Sequence, residues 1–137
     1  MSTLEQDPRT ILVVDDDDLE MVSGFLGDSN YHVLTATSGE TALQQSRDYK
    51  GEIDLLLSDF QMPAMSGIEL AAQMCLDRPQ LKVLVMSGFT GGMLVLKEGW
   101  HFLAKPFVPS QLRALILGLV FPRTEGPNFS SSDKLAA

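Results

Sequence analysis

Three acids, a serine and a lysine stand out because each follows a short aliphatic run. Asp15 and Asp16 come after ILVV (residues 11–14), Asp59 closes DLLLS (54–58), Ser87 follows KVLVM (82–86), and Lys105-Pro106 comes soon after WHFL (100–103). Carboxylates brought close together repel, and each raises the others' pKa unless a cation lies between them. Oxygen donors of that charge suit a hard divalent ion, magnesium above all, with manganese able to substitute. An Asp oxygen can also be a nucleophile and take a phosphoryl group to give an aspartyl phosphate; Asp59 is the central candidate. Phosphoryl transfer asks for positioning and charge neutralisation more than covalent help. Asp16, Lys105 and Ser87 have the chemistry to supply both.

These residues need elements that bring them to one place. With YHVLTA (31–36) the aliphatic runs make five strand candidates, three of them almost continuously apolar, as strands covered on both faces must be. Helical spacing predicts helices over about 17–27, 39–48, 67–77, 91–97 and 110–120. Ser66 and Glu69 form a capping-box pattern, Ser38 is a natural N-cap, Pro79 blocks continuation of the third helix, and Pro109 suits a first turn. Strand and helix alternate throughout. Right-handed crossovers turn that order into an α/β doubly wound parallel sheet, order 2-1-3-4-5, with helices on both faces. Ligands then sit where strands 1 and 3 end, which is where Asp15, Asp16 and Asp59 fall, with Ser87 and Lys105 flanking.

The motifs VVDD (13–16), LSDFQMPAMSG (57–67), VMSG (85–88) and FLAKPF (102–107) together resemble the receiver domains of two-component response regulators over residues 9–121. The resemblance implies a flavodoxin-like fold and a cytoplasmic phosphoacceptor switch in a phosphorelay, not a turnover enzyme. By it Asp59 is the phosphoacceptor, Asp15 and Asp16 are the acidic pair at magnesium, and Gln61 lends the metal its backbone carbonyl. Ser87 and Phe102 take the switch positions, Lys105 pairs with the phosphoryl group, and the peptide before Pro106 is cis. The donor is a phosphohistidine on a sensor histidine kinase or a phosphotransfer domain. Receivers attached to hybrid histidine kinases offer the nearest, if weaker, likeness.

The chain departs from that family pattern in places. Seventeen residues separate Ser87 from Lys105, fewer than receivers usually have, so the helix at 91–97 must be shortened, displaced or unwound. Gln61 and Phe89 hold positions that tune phosphoryl lifetime, and a bulky Phe89 is expected to screen the phosphoryl group from water. Phe102 lacks the phenol hydroxyl of many relatives, so its rotamer must follow packing alone. The last helix is apolar beyond one core-facing stripe, which often marks an interface. With Trp100, Met93 and the helix at 91–97, it suggests a homodimer face.

Composition narrows the remaining classes. The chain has 137 residues, 45% hydrophobic and 20% charged, with a formal charge of -8. One domain with a buried core fits that length, and the acidity argues against direct binding to nucleic acid. Residues 1–8 read as an extension and 122–137 as a disordered tail with a vector-like end. A single cysteine, Cys75, excludes a disulfide framework, and no apolar run is long enough for membrane insertion. Two other functions fit parts of the pattern. A haloacid-dehalogenase-type phosphatase would use the Asp-x-Asp within VDDDDL (14–19), but no acid lies between Lys105 and Glu125 to complete its metal site. A phosphorylation-independent interaction module would leave the acidic set without purpose.

Overall fold

The aliphatic runs become β1 (Arg9–Val14), β2 (Tyr31–Ala36), β3 (Leu55–Asp59), β4 (Lys82–Ser87) and β5 (Trp100–Ala104). Between and after them lie α1 (Leu19–Gly27), α2 (Gly39–Asp48), α3 (Gly67–Asp77) and α4 (Pro109–Val120). The structure, a computed structural model, describes residues 9–17, 19–27, 31–88 and 100–120. The predicted helix at 91–97, Phe89 and Met93, and the segments 1–8 and 122–137 lie outside the described residues.

All strands pair in parallel, in the order β2-β1-β3-β4-β5, as the alternation predicted. Burial explains the order. β3 is buried along its whole length, and β1 and β4 are buried at every position after their first residue. Such strands meet helices on both faces and belong in the centre. β2 and β5 expose part of their length and take the edges.

Two apolar cores form, one per face. Leu12, Val14, Leu56, Val83 and Val85 point to the side covered by α2 and α3. Ile11, Val13, Leu55, Leu57, Leu84 and Met86 point to the side covered by α1 and α4. Each fully buried aliphatic side chain of this kind contributes roughly 1.5–3 kcal/mol, so the sheet's alternation drives both layers of packing. Trp100 packs on the α2–α3 side, whereas α4 lies on the other. Trp100 and the last helix therefore do not share a sheet face.

The helix ends follow local chemistry. Ser66 Oγ accepts from Glu69 N at 3.1 Å while Glu69 Oε1 accepts from Ser66 N at 3.0 Å, completing the capping box. Ser38 Oγ accepts from Thr41 N at 3.1 Å, and Pro109 opens α4. α1 starts at Leu19, later than the predicted 17. The cause lies in the acids before it: Asp17 N donates to Asp15 Oδ1 at 2.9 Å, a local turn that competes with helical bonding. At the opposite pole of the sheet, Arg9, Asp54, Arg78, Lys82, Leu119 and Val120 line a shallow hollow.

Candidate functional site

β1 and β3 are neighbours, but the chain leaves β1 for β2 on one side and β3 for β4 on the other. Their following loops part, and a crevice opens at the carboxyl ends of both strands. Asp15, the residue after β1, is fully buried, and Asp59, the last residue of β3, is 8% exposed. Asp16 reaches solvent beside them. One carboxylate oxygen from each of the three lies within 4.8 Å of the others. At such spacing each like-charged pair costs roughly 3 kcal/mol at an effective dielectric near 20.

Lys105 answers part of that repulsion. Its Nζ stands 3.3 Å from Asp15 Oδ2 and 3.3 Å from Asp59 Oδ1. The lysine is carried there by backbone: Lys105 N donates to Ser87 O at 2.8 Å, extending the β4–β5 ladder past its last pair, Ser87 with Ala104. The Lys105–Pro106 peptide is cis. Burial pushes the Asp59 carboxyl above its ordinary range, Lys105 opposes that rise, and Asp15 and Asp16 add to it. For Lys105 burial lowers the pKa, but Asp15 and Asp59 outweigh it and the net direction is up.

Three carboxylates against one ammonium leave a local excess of two negative charges, held by hard oxygen donors on a partly buried floor. That donor set and that charge fit a small divalent cation such as magnesium. When bound, such an ion would screen the carboxylates from one another.

The other residues singled out from the sequence take varied places. Ser87 is buried at the end of β4, one position beyond Met86, which pairs with Asp59. Gln61 is exposed in the loop after β3. Phe102 is 37% exposed on β5, in register with Val85, and is not among the residues gathered around the carboxylates. The loop from Phe60 to Ser66 is closed by backbone: Phe60 N donates to Met86 O at 2.7 Å and Gly67 N to Phe60 O at 2.9 Å. A Cβ at Gly67 would lie 2.3 Å from Asp59 O, so only glycine lets α3 start this close to β3. Ser58 also belongs to this region, fully buried next to Asp59. Its one local signal is a hydroxyl at the end of an apolar run.

Comparison with known proteins agrees with this fold. The family model described as response regulator receiver domain matches residues 11–117. The sensor kinase CckA of Brucella abortus is 32% identical over 113 residues, 78% of this chain and 12% of that protein. The two-component response regulator ARR12 of Arabidopsis thaliana is 30% identical over 139 residues, 93% of this chain and 23% of that protein. The crystal structure of the receiver domain from the hybrid histidine kinase CckA aligns with a TM-score of 0.71 at 31% identity, covering 81% of this chain and 98% of that one. A response regulator receiver domain protein from Clostridium thermocellum, 24% identical over 94% of this chain and 99% of that one, shares the fold with a TM-score of 0.73. The chain belongs to the response regulator receiver domain family, whose members are regulatory signalling domains of two-component systems. It spans between 12% and 23% of the length of the sensor kinase CckA, of ARR12 and of two further response regulators of Arabidopsis thaliana that it matches.

Proposed function

We propose that this domain is a phosphoacceptor switch in a two-component phosphorelay, taking a phosphoryl group on Asp59 with magnesium as cofactor. The observation that carries this reading is the meeting of Asp15, Asp16 and Asp59 with Lys105 at the end of the β1–β3 crevice. One Oδ of Asp59 attacks phosphorus; the O–P bond forms as the P–N bond to a donor imidazole breaks, and the electron pair returns to the ring nitrogen, which takes a proton. Lys105 already stands at Asp59 and is placed to pair with the added phosphoryl oxygens. Asp15 and Asp16, with the backbone carbonyl of Gln61, would hold the ion. Ser87 and Phe102 act as the switch pair: the phosphoryl group must contact the active form better than the inactive one, and the place of Ser87, one position beyond the partner of Asp59 on β4, supports its supplying that contact.

The donor is a phosphohistidine on a sensor histidine kinase or a phosphotransfer domain, and the setting is cytoplasmic. Likeness to the receiver of a hybrid histidine kinase favours a place beside a kinase in a longer chain. Leu117, exposed on α4, and Val108, exposed just before that helix, support a homodimer face that reaches the edge strand β5, with the helix predicted at 91–97 as its third part.

The test is incubation with acetyl phosphate and magnesium, followed by intact mass. Wild type should gain one phosphoryl group and Asp59→Asn none. A folded wild type that gains nothing would end this reading, and labelling of the variant would move the acceptor elsewhere.

A further inference from the structure

The peptide that joins Asp59 to Phe60 is held from both sides. On one side Ser58 Oγ donates to Asp59 O at 2.9 Å, and on the other Phe60 N donates to Met86 O at 2.7 Å. Because a trans peptide points its carbonyl and its N–H in opposite directions and resists twisting, two such bonds fix the rotation of the whole plane. The next carbonyl, Phe60 O, is fixed in turn by Gly67 N at 2.9 Å. Ser58 sits where these restraints meet. It is fully buried on β3, and a Cβ at Gly67 would lie 3.0 Å from its Oγ. The hydroxyl thus fills the narrow seam between the acceptor strand and the first turn of α3.

We infer that Ser58 is a positioning residue for the phosphoacceptor site, orienting the Asp59–Phe60 peptide and, through it, the backbone carbonyl of Gln61. It touches neither phosphoryl group nor ion. It acts by fixing the plane from which both the Asp59 side chain and the following carbonyl are hung. An alkyl group at position 58 would fill the seam but could not hold the plane. Groups that orient a metal's ligands without touching it commonly change affinity or activity about 10–100-fold when lost. This inference rests on the proposed role of Asp59 as acceptor.

The test compares wild type, Ser58→Ala and Ser58→Cys, variants that bracket the volume of serine while lacking its strong donor. Magnesium affinity is measured by calorimetry, phosphoryl uptake from acetyl phosphate by intact mass, and folding by circular dichroism and melting temperature. Both variants should fold, bind magnesium about tenfold more weakly and take up the phosphoryl group more slowly. Wild-type affinity and uptake in Ser58→Ala would overturn the inference. So would a Ser58→Cys that behaves as wild type while Ser58→Ala fails, since volume would then carry the effect. Asp59→Asn run beside them separates the two claims: a wild type that binds magnesium but is never labelled overturns the acceptor role, and this inference with it.

Discussion

Asp59 carries a cost that Lys105 relieves only in part. Its carboxyl is raised above the ordinary value of 3.8 by burial, with Lys105 pulling down and Asp15 and Asp16 pushing up. A carboxyl raised in the folded state favours folding while protonated. Its contribution is therefore full below pH 3.8 and is lost as the pH rises through the higher folded value. Asp59→Asn removes that titration and one of three like charges. In a chelator, with no divalent ion, the variant should melt higher than wild type at neutral pH by roughly a few degrees. The gap should shrink as the pH falls through the interval above the ordinary carboxylate value and close near pH 4. A gap that stays constant across that interval would show that the gain comes from packing and not from charge.

Among the elements, one side chain ties the end of α3 to the end of α2, beside the Arg47–Asp77 ion pair and the apolar packing that the two helices share. Arg78, the C-cap of α3, donates to Ser46 Oγ at 3.0 Å, Ser46 O at 2.8 Å, Tyr49 O at 3.1 Å and Gly51 O at 3.0 Å. Its planar fork binds the end of α2 and the turn that follows it, a geometry no lysine can copy. Arg78→Ala should lower stability by about 2–3 kcal/mol, since three carbonyls lose a charged donor. Urea unfolding reads this directly, and a loss below about 0.5 kcal/mol would mean that water serves those carbonyls as well. Arg78 also marks where sequence reading stops. The strands were legible because buried strands need unbroken apolar runs, and the caps because Ser38 and Ser66 act within a few residues. Asp15, Asp16, Asp59 and Lys105 were legible because each ends or follows a strand and parallel order puts those ends together. The Arg78 partners lie 27 to 32 residues away, and such pairings leave no periodic trace. The same holds for Ser58, whose role depends on the Gly67 approach, and for Trp100, whose sheet face is set by its pairing with Val83. The start of α1 slipped because acids near a helix start can cap it or, as Asp15 does, form a turn of their own.

For the molecule as a whole, the open question of assembly falls on β5 and α4. Only Leu112, Ile116 and Val120 of α4 are fully committed to the core, and Leu117 is 54% exposed. A dimer formed there should appear in sedimentation as concentration rises, more strongly with a phosphoryl mimic bound, and Leu117→Glu should abolish it. A wild type that stays monomeric at high concentration in both conditions would refute the dimer. The two ends of the described domain bear on a different matter. Arg9, which opens β1, and Val120, which closes α4, line the same hollow at the pole remote from Asp59. Chain can therefore enter and leave at one end while the acidic crevice faces outward at the other. A unit of this layout can sit within a longer protein like a cartridge, with its neighbours attached behind and the acidic crevice left open in front.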